Sequence, residues 1–136
     1  MKEFKKGQPV VHFMSYDRKG TWTFTRATVQ SCGEKQMTLV NTETGEMMGR
    51  NFRPNSVRTY TQNYGGQEHT QQYRDVTMAD MTDEQAHKMC LELASVELAA
   101  ERTHYSNCLA RSTSGQYTKA IEKSLSELHE PRSMKR

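Results

Sequence analysis

Two pairs of soft metal ligands open the question of chemistry: His87-x-x-Cys90 and His104-x-x-x-Cys108. On a helix each pair falls on one face, the arrangement from which zinc sites are built. Seventeen residues separate the two histidines, about 25 Å along a continuous helix, and no Gly or Pro between Leu91 and Arg102 breaks the rise. One ion cannot reach both pairs, so no metal and no cofactor is expected, and the thiols read as ordinary packed side chains. Cys32 with His12 would be a nucleophile and its base, although nothing in their spacing requires it. Glu92, Glu97 and Glu101 recur at helical intervals and are expected to form a solvated face. Gly65-Gly66 lacks the following Lys and the strand–helix setting of a phosphate loop. No catalytic residue is nominated, and the chain is expected not to be an enzyme.

What remains is recognition. Lys5, Lys6, Arg18, Lys19, Arg26, Arg50, Arg53 and Arg58 fall at strand ends and in loops, near Trp22 and Phe24. With those aromatics exposed, the group would join phosphate contacts to base stacking or serve as a peptide-docking platform; with them buried, it is a dispersed basic surface. Charge supports an anionic partner for the first part. Residues 1–60 carry ten Lys/Arg against five Asp/Glu, and residues 61–136 nine against eleven, within a net charge of +3. Three cysteines without close pairing and no signal-peptide pattern point to a reducing, cytoplasmic setting. No apolar run approaches the ~20 residues of a membrane span.

The elements that must hold these residues begin with a strand decamer, Thr21 to Gln30, rich in Thr, Val, Trp and Phe. Its alternation has a defect, because Trp22 and Phe24 share one face and Ala27 and Val29 the other. A β-bulge near Thr25 or Arg26 would bring all four inward; without it the aromatics lie on an outer or groove-lining face. Strands are expected at Gln8–Met14, Gln36–Thr42 and Met47–Phe52, with a fifth at Ser56–Thr61 or Asp75–Met78. Asn41 to Glu46 is a hairpin turn in which Gly45 takes the positive φ.

Phe24-Thr25-Arg26-Ala27-Thr28-Val29 is similar to the aromatic-x-Arg-Ala-x-Val strand of Tudor domains, and Gly7 to Phe13 to the Gly-x-x-Val opening before it. The first part thus resembles the SH3-like small β-barrels of Tudor and KOW type. The resemblance implies that fold. The aromatic cage of methyl-reading Tudor modules is not implied, since Val40 to Gly45 contains no aromatic.

Residues 61–81 are polar, with Gln and Gly prominent, and read as a linker or long loop. Thr82-Asp83-Glu84-Gln85 is a capping box with acids in the first turn, opening a helix to about Ala110. That helix carries two apolar rows, Ala86, Met89/Cys90, Leu93, Val96, Ala100 and Leu91, Ala94, Leu98, Tyr105, Leu109. One row should meet the rest of the chain and the other a second copy. A shorter helix, Gln116 to His129, folds back with Tyr117, Ile121, Leu125 and Leu128 on one side, and residues 131–136 form a frayed basic tail.

The chain is therefore expected to be α+β: an SH3-like antiparallel barrel over 1–60, a linker over 61–81, a helical hairpin over 82–130 and the tail. The expected function is a non-enzymatic interaction module that binds another macromolecule and self-associates through Leu91, Leu98, Tyr105 and Leu109, with no membrane role. The alternative is nucleic-acid binding through the basic face.

Overall fold

The computed structural model describes residues 4–15, 17–33, 36–49, 52, 54–63 and 70–136, with side chains described throughout except at 60–63 and 70–72. The chain is α+β, an N-terminal curled antiparallel sheet followed by two helices. Strands β1 (Pro9–Ser15), β2 (Thr21–Cys32), β3 (Met37–Asn41), β4 (Met47–Gly49), β5 (Arg58–Asn63) and β6 (Thr70–Ala79) precede α1 (Asp83–Arg111), α2 (Gly115–Glu127) and a terminal strand β7 (Arg132–Lys135). The sheet order is β4-β3-β2-β1-β6-β5, curled into a half-barrel. Phe52 N–H donates to Met37 O and Asn55 N–H to Thr77 O, so the chain crosses from β3 to β6 over the concave face.

The defect in β2 has a third resolution. β1 pairs with β2 in unbroken register from Pro9↔Thr28 to Ser15↔Trp22, so the bulge expected at Thr25 or Arg26 is absent. The register shift lies further on, between Val29 and Ser31 opposite β3. Ala27 and Val29 pack in the concave interior with Phe4, Val10, Met37, Leu39 and Phe52. Trp22 and Phe24 point the other way, yet they are 1% and 0% exposed because α1 lies across that face. There they join Val11, Phe13 and Val76 against Ala86, Cys90 and Ala94, whose small side chains at four-residue spacing let the helix settle close to the sheet. An outward-facing aromatic platform is thereby excluded for both residues. α1 starts at the expected capping box, Gln85 N–H donating to Thr82 Oγ1 and Thr82 N–H to Gln85 Oε1.

Residues 61–81, expected as a linker, instead contribute the end of β5 and all of β6, so both candidate fifth strands form. The expectation failed because one side of β6 carries buried polar residues, Asp75 and Thr77, rather than apolar ones, with Asp75 held across strands by His12 and Arg58. The tail likewise is ordered. β7 runs parallel to the first half of β2, Thr21↔Arg132 to Phe24↔Lys135, beside the stretch where β3 pairs with the second half. Gly20 makes that junction possible: its φ is +115°, and a Cβ there would come within 2.9 Å of Leu98 Cδ1 and 3.1 Å of His129 O.

Trp22→Ala should cost roughly 3–5 kcal/mol through the cavity it leaves, read as a large fall in chemical-denaturation midpoint. Ending the chain at Pro131 should cost about 2–3 kcal/mol, from several lost hydrogen bonds, and open amide exchange along residues 21–24.

Candidate functional site

One flank of α1 is only half covered, with Met89 and Leu93 packed partly against the core and Val96 and Ala100 exposed. Met89, Leu93, Val96 and Ala100 line it at spacings of four, three and four residues and face Val57, Arg74 and Trp22 across a groove of about 420 Å³. A second hollow of about 500 Å³ adjoins it, sharing Met89 and Glu92 and bordered by Met78, Met81, Gln85 and Lys88. The walls of the first are largely apolar, with Val96 71% and Val57 49% exposed, whereas the second also carries Asn55, Asp80, Gln85, Lys88 and Glu92. Contiguous exposed apolar surface of this kind marks a binding surface more often than it marks spare core.

The floor is ionic. Glu97 and Glu101, expected on a solvated face, are buried on the sheet side of α1. Ser15 Oγ lies 3.0 Å from both Glu97 oxygens, and Arg74 reaches Glu97 at 3.3 Å and Glu101 at 3.2 Å. Arg18 closes the set on Glu101 at 2.6 Å. Burial pushes the Glu97 carboxyl above the usual glutamate value, against the Ser15 hydroxyl and Arg74, which favour its charge. The buried Trp22 indole N–H also favours the charged form, but makes no hydrogen bond of full geometry among the described residues. Paired and satisfied, these charges fix the helix on the sheet rather than present a reactive group.

A second buried set lies on the concave side. His12 Nε2 is 2.9 Å from Asp75 Oδ2, and Arg58 holds both oxygens of Asp75 at 2.6 and 3.0 Å. Burial raises the Asp75 carboxyl, but the His12 and Arg58 hydrogen bonds outweigh it and hold the group below its ordinary value. Phe52 covers the cluster, edge-on to His12 at 4.9 Å and beneath Arg58 at 5.0 Å. Cys32 is remote from it: His12 sits opposite Thr25, seven residues back along β2, roughly 20 Å away. The Cys–His pair is not assembled.

His87 and Cys90 both turn to β7. His87 Nδ1 is 2.6 Å from Ser133 Oγ, and the Cys90 thiol is pushed up to about 11 by burial, against the hydrogen bond of Ser133. His104 and Cys108 lie 3.9 Å apart, with the His104 ring also tilted against Tyr105 at 5.4 Å, and no cluster of three metal-ligating groups occurs among the described residues.

The basic residues do not form one free face. Arg18 pairs with Glu101, Lys19 with Glu127, Arg26 with Asp80 and Asp83, and Arg58 with Asp75. Lys5 and Lys6 are exposed, whereas Arg50 and Arg53 lie outside the described residues. Of the expected self-association row, Leu98 is 1% exposed, packed inside the chain beside Gly20, and cannot meet a second copy. Tyr105 and Leu109 are half-buried in the turns leading to α2, and Leu91 alone is exposed, away from the groove. The groove residues belong to the other row. Their four-three-four spacing was visible in the sequence, but Val57, Met78 and Met81 join them only through the fold. No family model matches the chain, and no curated protein or solved structure shows significant similarity to it.

Buried Glu97 and Asp75 predict opposite pH responses. The stability tied to protonated Glu97 is complete below the ordinary value of 4.5 and is lost as pH rises through its raised folded value. Asp75 contributes above the ordinary 3.8 and loses that contribution as pH falls through its lowered folded value. Urea titrations across pH should therefore show Glu97→Gln flattening the upper limb and Asp75→Asn the acid limb.

Proposed function

We propose that the protein is a non-enzymatic interaction module, an SH3-like small barrel of the Tudor and KOW type carrying a helical hairpin, which binds another protein chain along the flank of α1. The sheet order and the crossing at Phe52–Asn55 support the barrel reading. The observation that carries the function is the apolar groove beside the Met89–Ala100 stripe, next to a basic surface whose described arginines are already committed to carboxylates. A groove of this composition suits a segment presenting a row of apolar side chains, and its methionines let it adapt to their shape. The free cysteines suit a reducing, cytoplasmic setting. No described helix is long and apolar enough to cross a membrane.

Displayed-peptide selection against the wild-type chain should enrich apolar sequences whose binding changes less than about twofold between low and high salt, since no counterion release drives it. Val96→Glu, at an exposed position, should abolish that binding without altering thermal stability. A nucleic-acid mobility shift that survives Val96→Glu and weakens by orders of magnitude with salt, with no peptide enriched, would replace this reading with the basic-surface one.

A further inference from the structure

We propose that the slot between the edge of β2 and the first turns of α1 is a strand-accepting peptide site. The chain fills it with its own β7, and an extended Ser-x-Lys segment of another protein takes it in place of β7. Its helix side chains, Asp83, His87 and Cys90, are none of those lining the groove, so the proposal stands apart from that reading. β3 pairs with β2 from Ala27 onward and leaves the backbone of Thr21–Phe24 to β7. Arg132 N–H donates to Gly20 O at one end of that stretch and Arg136 N–H to Phe24 O at the other, both at 2.8 Å. A peptide strand added to a sheet edge is a recurring mode of recognition, in which main-chain hydrogen bonds give affinity and alternate side chains give specificity.

Both levels are present. Ser133 Oγ lies 2.6 Å from His87 Nδ1 and hydrogen-bonds the Cys90 thiol, and Lys135 Nζ reaches Asp83 Oδ2 at 2.9 Å. The helix thus reads a hydroxyl and, two residues on, an ammonium, while the alternate residues Arg132 and Met134 stand exposed. The hold on β7 is light. Ser133 is its one half-buried residue, Met134 is 57% exposed, and a parallel ladder is weaker per residue than an antiparallel one. A segment that buries so little opens without the remaining fold. What favours β7 is its tether to α2 through the short 128–131 link, which sets a high local concentration. The β7 of a second copy would make the same contacts without that tether. Displacement therefore needs a segment that fits the slot better than β7, which places it on a different chain.

Fluorescence anisotropy with a labelled peptide of residues 131–136 tests the slot in the full chain. Met134→Pro removes an N–H from the middle of the β7 ladder and leaves Asp83, His87 and Cys90 untouched. It should loosen β7 and bind the peptide at least about tenfold more tightly than wild type does. A peptide carrying Ser133→Leu should bind that chain at least about tenfold more weakly. Ser133→Cys sets a thiol beside that of Cys90; with the two oxidised to a disulfide, β7 is fixed, and peptide binding should vanish and return on reduction. Circular dichroism melts verify folding, and if Met134→Pro unfolds the sheet, the oxidised and reduced states of Ser133→Cys carry the comparison. Equal binding by wild type and a folded Met134→Pro chain, indifference to Ser133→Leu in the peptide, or binding that survives the disulfide would each overturn the proposal. A dimer of the Met134→Pro chain in sedimentation velocity, broken by excess peptide, would give the slot to a second copy and overturn the choice of partner.

Discussion

The seating of α1 on the sheet is the contact on which the remaining structure depends. It rests on three aromatic rings, Phe13, Trp22 and Phe24, received by a helix face kept small at Ala86, Cys90 and Ala94. Without that helix the rings would stand in water on the outside of a curled sheet, and with it the sheet is buried on both faces. β2 passes through the centre of both clusters, one phase of its alternation facing each, so a single strand couples the concave interior to the helical half. β7 completes the seat by running beside the first half of β2 and holding His87 through Ser133.

Charge follows the same division. The first sixty residues carry the excess of base and the remainder the excess of acid, and much of that difference is settled between the two parts. Arg18 meets Glu101, Lys19 meets Glu127, and Arg26 meets Asp80 and Asp83. Arg26 and Lys19 are correspondingly held more firmly charged by their hydrogen bonds to Asp83 and Glu127. Exposed pairs of this kind contribute little each; the Ser15–Glu97–Arg74–Glu101–Arg18 set is different because its carboxylates are dry and must be matched in place. Much of the acid that the basic side chains of the sheet meet thus comes from the chain's own helical half.

Function on this reading lies in what the packing leaves over. The sheet face takes one side of α1, and on the adjoining flank Met89 and Leu93 are half-buried against the core while Val96 and Ala100 stand exposed. A stiff helix fixed by buried ion pairs presents that flank in one geometry, which lowers the ordering cost of binding. The same matching argues against the buried polar clusters as reaction centres, since Glu97 and Asp75 are each enclosed by groups that satisfy them.

Local rules sufficed for whatever was locally encoded: the strands through Gly49, the Gly45 turn, the capping box at Thr82 and the helical hairpin all followed from neighbouring residues, because backbone geometry and capping act within a few positions. Of β6 only Asp75–Met78 was legible, as one of two alternatives, and β7 was not, since their pairing satisfies backbone groups of distant segments and leaves little apolar signature of its own. Alternation in β2 showed two faces but not what would cover each, and two apolar rows on α1 did not show which was free. Nor could spacing reveal that Glu97 and Glu101, written like a solvated face, would turn inward to Ser15, Arg18 and Arg74. Burial belongs to the surface on which an element lands, and only the tertiary structure places the two surfaces together.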